Sequence, residues 1–239
     1  MNTVRTYDDF TNEELAKAFS NPDRSINITG FKQETLDRLP VTIKARISYD
    51  GDTPLALNNV EFIGRLRTTD CPFVILPKLI HAEEIEAWDA HVQAPNLMKC
   101  KVLHAQSLNS SNYATVNNLF LYTDGTADLV GVRKIGQIFC EHATAVHLRD
   151  TEDLGIAHIP KAKLLTAPNL SSLTGSLNTQ AGTHLTLGIS DKFKKSLKYP
   201  FSHMPFGTGI VVISPENIVA EEDAVATGFE HTVLVHEPA

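Results

Sequence analysis

No stretch of this chain approaches the ~20 consecutive apolar residues that a bilayer span requires, and Met1 to Phe10 hold no apolar run of the kind a secretory leader needs. Cysteine is scarce. Cys71, Cys100 and Cys140 are an odd set without a close pair, which argues against a disulfide framework or a cysteine-based metal site. Two of them, Cys71 and Cys100, fall in the three unbroken apolar columns described below, where cysteine acts as a small hydrophobe, and the expected compartment is the reducing cytoplasm. Positive charge is not in excess either. The formal charge is -7 and the lysines and arginines are scattered, so direct nucleic-acid binding is not expected and the acidity reads as solubility.

Sequence signatures of catalysis are also missing. Ser171-Ser172 and Thr174-Gly175-Ser176 contain no Gly-x-Ser-x-Gly elbow. Phe206-Gly207-Thr208-Gly209 precedes a strand-like run, where a phosphate cradle would open a helix, and reads as a tight turn.

What the chain does have is a repeat. Val60, Leu79, Leu97, Val116, Ile135, Leu154 and, after a shorter step, Leu170 form a column with a period of 18 to 19 residues. Three residues further on lie Ile63, Ala82, Cys100, Leu119, Ile138, Ala157 and Leu173; eleven further on lie Cys71, Ala90, Leu108, Ala127, Val146, Leu165 and Ala181. All three columns are apolar throughout. Two weaker ones run through Val102, Leu121, Cys140 and Ile159 at the fifth step and Ala87, Ala105, Ala143 and Ala162 at the eighth, with Arg65, Glu84 and Asp124 interrupting them. Such a period marks stacked units that cannot bury their apolar faces alone. A helical hairpin needs more than about 30 residues, so each unit is expected to hold one short strand. Cys100-Leu103, Leu119-Tyr122, Ile138-Glu141 and Ala157-Ile159 alternate as strands with one buried face do. The expected fold is mostly β: a parallel β-solenoid of about seven coils.

Leu76-Pro77-Lys78-Leu79, Ala94-Pro95-Asn96-Leu97 and Ala167-Pro168-Asn169-Leu170 resemble the opening motif of short leucine-rich-repeat-like solenoids of bacteria and bacteriophages, a likeness over roughly residues 60 to 181. The resemblance implies a scaffold that recognises other macromolecules. Its narrower implication is a small inhibitor of a host or competitor protein.

Three regions are expected: an N-terminal cap over 1–40, the solenoid over 41–187, and a strand-rich C-terminal cap over 188–239. Thr11-Asn12-Glu13-Glu14 is a capping box, with Phe10 and Leu15 in staple positions, so a helix is expected from about Asn12 to Ser20. Residues 41 to 48 alternate strictly and read as a first strand. Gly209-Ser214 and Thr232-Val235 are strand-like.

Ten histidines raise the question of a metal. His104 and His142 occupy one column two coils apart, roughly 9 to 10 Å at the usual strand spacing, too far for one ion. His142 and His147 lack the one-turn helical spacing of a zinc protease. No metal and no cofactor is expected. If Leu119, Leu121, Ile138, Cys140 and Ile159 point inward, then Phe120, Tyr122, Phe139 and His158 point outward and cluster on adjacent coils. Clustered aromatics on a rigid surface favour protein recognition. Either the C-terminal segment covers them, or a protein partner or second copy does. The expected function is noncatalytic binding of a protein partner, and the rival is an enzyme, a hydrolase or transferase, using the histidine-bearing coils.

Overall fold

The computed structural model describes residues 6–173, 177–179, 184–187, 212–213 and 218–219. It is a parallel β-solenoid of about seven turns with an N-terminal helix. The chain forms two compact units, one up to Ala114 and one from Thr115.

In the first unit, helix α1 (Asn12–Phe19) starts as its capping box predicts. The Glu14 N–H donates to Thr11 Oγ1 at 3.2 Å and the Thr11 N–H to Glu14 Oε2 at 2.8 Å. Its apolar side buries Leu15, Ala18 and Phe19, and the Tyr7 ring lies against Phe10, Phe19 and Phe31. After β1 (Ser25–Asn27) and the single-turn α2 (Gln33–Leu36) come β2 (Thr42–Asp50), β3 (Leu55–Ala56), β4 (Phe62–Thr69), β5 (Phe73–Ile75), β6 (His81–Gln93) and β7 (Lys99–Leu121), which enters the second unit. Every pairing among the first-unit strands is parallel. Two ladders run side by side. One aligns Ile43, Ile63, Ala82 and Cys100, and beside them Ile47, Leu66, Ile85 and Leu103. The other aligns Leu55, Val74, Val92 and Leu108. All of these side chains are buried, and stacking is what buries them.

The second unit continues with β8 (Thr126–Phe139), β9 (Ala145–Leu148), β10 (Asp153–Ile159), β11 (Leu164–Ala167), β12 (Ser172–Leu173), β13 (Leu177–Thr179), β14 (His184–Leu187), β15 (Val212–Ile213) and β16 (Ile218–Val219). The first part of β8 pairs with β9 and its last part with β10, so a coil carries strands on more than one side. That corrects the expectation of one short strand per coil. The bend between the two sides is made at Gly131, whose φ of +71° favours glycine and whose N–H donates to Asp150 Oδ2 at 2.7 Å.

Register brings three further corrections. Leu154 aligns with Leu173, Ala157 with Leu177 and Leu165 with Leu185, so the last coil takes a full step, and Leu170, Leu173 and Ala181 are not the equivalents the columns assigned. Leu108 lies opposite Val92, not Ala90, because β6 carries two extra residues between Ala87 and His91 relative to β7. Finally, Arg65, Glu84 and Val102 lie on the outer side, since Leu66, Ile85 and Leu103 take the core positions. The charged residues therefore do not interrupt the core.

The Leu/Ala-Pro-x-Leu motifs are corner turns. Leu79, Leu97 and Leu170 donate their N–H to the carbonyls of Leu76, Ala94 and Ala167 at 3.0 to 3.2 Å, and proline sits where a turn favours its fixed φ. Asn96 Nδ2 then reaches Pro77 O at 2.6 Å and Asn169 Nδ2 reaches Arg149 O at 2.7 Å, tying each corner to the one before. Ala87, Ala105, Ala143 and Ala162 are fully buried, as close coil spacing requires. Cys71, Cys100 and Cys140 are free and buried in the core. Burial pushes the Cys100 thiol up to about 12 and Cys140 to about 11, so both stay protonated. The second strand expected in the C-terminal region, 232 to 235, lies outside the described residues, and of the first only Val212–Ile213 is described, pairing antiparallel with β16.

Candidate functional site

Alternation along β7, β8 and β10 decides which side chains reach the outer face of the second unit. Leu119, Leu121, Ile138, Cys140, Ala157 and Ile159 are buried, and Phe120, Tyr122, Phe139 and His158 between or beside them are half-buried. Phe120 and Phe139 lie with ring centroids 4.8 Å apart and planes 9° from parallel. His158 is opposite Phe139 in the ladder, with centroids 6.2 Å apart and planes at 48°. The strand spacing of a parallel sheet thus sets the stacking distance, and the backbone rather than the side chains holds the rings.

A shallow depression of about 50 Å³ opens beside the stack, lined by Phe120, Leu121, Tyr122, Phe139, Glu141 and His142. Burial raises the Tyr122 phenol above its ordinary pKa and the Glu141 charge adds to the effect, so the hydroxyl remains neutral. His142 Nδ1 is 3.2 Å from Lys161 Nζ, within hydrogen-bond distance of the ammonium. The depression therefore offers an aromatic wall and a rim of mixed polarity: hydroxyl, carboxylate and imidazole. Glu141 and His142 are members of this rim that strand alternation alone does not identify; they directly follow Cys140, where β8 has ended and alternation no longer applies.

Two further histidines lie elsewhere. His147 is on β9 and meets Thr166 Oγ1 at 2.6 Å, while His104, in the first unit, stacks on Trp88 with centroids 5.2 Å apart. Ser171 Oγ donates to the Glu152 carbonyl at 3.1 Å. Thr174-Gly175-Ser176 and Phe206-Gly209 lie outside the described residues. Among the described residues, no three of His, Cys, Asp and Glu gather as a metal would need, and no helix is long and apolar enough to cross a membrane.

Comparison of the chain with protein-family models, with curated proteins and with solved structures returns no match.

Proposed function

We propose that this protein is a noncatalytic binding module that recognises a protein partner through the outer face bearing Phe120, Tyr122, Phe139 and His158. The observation that supports this reading is the parallel Phe120–Phe139 stack beside a depression with a polar rim. Aromatic rings held by a parallel ladder lose little conformational entropy on association, and large rings with polar neighbours are the usual anchors of protein interfaces. The likeness of the Leu-Pro-x-Leu corners to short bacterial and phage repeats supports a narrower form of the proposal: a small cytoplasmic inhibitor of a host or competitor protein.

The test is the double variant Phe120→Ser/Phe139→Ser. Truncating an anchor aromatic commonly costs ~2 kcal/mol or more, so the pair should weaken partner binding or self-association by more than about a hundredfold. Affinity for a partner captured from lysate, self-association by sedimentation equilibrium and melting temperature are measured on the same variant. A protein that keeps parental affinity and parental self-association overturns the proposal. A large fall in melting temperature without loss of binding assigns the rings to the core.

A further inference from the structure

The outer face of the first unit carries a different group of side chains. Outward positions on neighbouring strands form two rows: Arg65 of β4 opposite Glu84 of β6, and Arg67 opposite Glu86 and then His104 of β7. Arg65 Nε lies 3.1 Å from Glu84 Oε2 and 3.0 Å from Glu86 Oε1, and its Nη2 also contacts Glu86 Oε1. Glu86 is only 8 % exposed. Burial acts to raise its pKa, but the Arg65 hydrogen bond and charge override that effect and hold the carboxyl below its ordinary value. Two residues further along β6, on the same side, Trp88 is 45 % exposed and lies 9° from parallel to the His104 ring. Trp88 emerges where β6 has its two extra residues, between Ala87 and His91. Bulges of this kind re-aim side chains and are enriched beside functional sites.

We propose that this face binds a neutral saccharide, with Trp88 as the platform for a sugar ring and the part-exposed Arg65 and Glu84, held in place by the buried Glu86, as the groups that take its hydroxyls. A pyranose has an apolar C–H face that packs on an aromatic plane and a rim of hydroxyls, each both donor and acceptor. The face has the matching parts: the Glu84 carboxylate, which only accepts, beside guanidiniums that only donate, on the strand that carries the exposed indole four residues further on. In this group Arg65 and Arg67 offset Glu84 and Glu86, so neither a strong cation nor a strong anion is selected. The ion pairs also fix these side chains before a ligand arrives, which lowers the entropic cost of binding.

Trp88 is the chain's single tryptophan, so its emission reports on this site directly. The full-length protein is titrated with cellohexaose, xylohexaose and maltohexaose, and with oligogalacturonate as an anionic control, up to about 10 mM, a range that includes weak binding. A saturable change in emission with at least one neutral oligosaccharide is expected. By calorimetry, Trp88→Ala should weaken that ligand at least about tenfold and Glu84→Gln at least about fivefold, with both variants keeping the parental melting curve. Phe120→Ser/Phe139→Ser should keep the saccharide affinity, which separates this inference from the proposed protein-binding face. No response to any neutral oligosaccharide, a response to oligogalacturonate alone, or undiminished binding by Trp88→Ala overturns the proposal.

Discussion

Gly155→Ala tests the coil stacking where it is tightest to the backbone. A Cβ on Gly155 would overlap the carbonyl oxygen of Gly136 on the preceding coil and sit 3.0 Å from its carbonyl carbon; a Cβ on Gly136 would sit 2.5 Å from the oxygen of Asn117. Carbon atoms rest at ~3.5 to 4.0 Å, and the obstacle here is backbone, which cannot rotate away as a side chain would. Relief requires β10 to move about 1 Å from β8, enough to lengthen hydrogen bonds of the ladder joining 153–158 to 134–139 beyond useful range. Losing two or three of those bonds at ~1 kcal/mol each, with ~1 to 2 kcal/mol for disturbed packing, gives a destabilisation of about 3 to 5 kcal/mol. At ~2 to 4 °C per kcal/mol for a chain of this size, the melting temperature should fall by roughly 6 to 20 °C. Gly125→Ala is the control. A Cβ there meets nothing within 4 Å, so the variant should be neutral or up to ~1 kcal/mol more stable through the unfolded chain. Circular dichroism melts and urea titrations of both variants decide the matter. A Gly155→Ala protein that melts within about 2 °C of the parent would refute the close approach of the two coils.

Ile138→Asp places a carboxylate at a position with 0 % exposure, and the loss of ~2 to 3 kcal/mol of apolar burial plus an uncompensated charge should unfold the second unit, seen as lost cooperativity in a urea titration. A parental transition for this variant would show that Ile138 does not face the core. His104 predicts a pH effect. Burial lowers its pKa below 6.5, with Glu86 partly opposing, so the unfolded chain takes up its proton first as pH falls; the associated stability is present above about pH 6.5 and is lost on descent through the lower folded value. Because His104 stacks on the single tryptophan, Trp88 emission should titrate with a midpoint below 6.5, and His104→Gln should abolish that titration and reduce the loss of stability on acidification. A midpoint above 6.5, or one unchanged in His104→Gln, would contradict the stacking or the burial.

The repeat itself was legible in the sequence because stacked coils impose one chemical demand at one spacing. Wherever a side chain had to be apolar in every coil, as along Ile63, Ala82 and Cys100 or Ile138 and Ala157, the column appears in the residues and again in the ladder. The capping box of α1 was equally readable, since its two hydrogen bonds join residues three apart. Alternation also determined that Phe120, Phe139 and His158 share a face, because the period of a strand is two and the flanking residues are strongly apolar. Tertiary structure decided what depends on counting between coils. The two extra residues of β6 shift Val92 opposite Leu108, and the last coil steps to Leu173, Leu177 and Leu185; neither leaves a local signal, because leucine and alanine are common on both sides of the true register. Arg65 and Glu84 read as breaks in an apolar column until the ladder set Leu66 and Ile85 inward and the two charges against each other on the outer side. A salt bridge between strands 19 residues apart, and a tryptophan lifted beside it by a bulge, are properties of neighbours in space, and the order of residues along the chain carries neither.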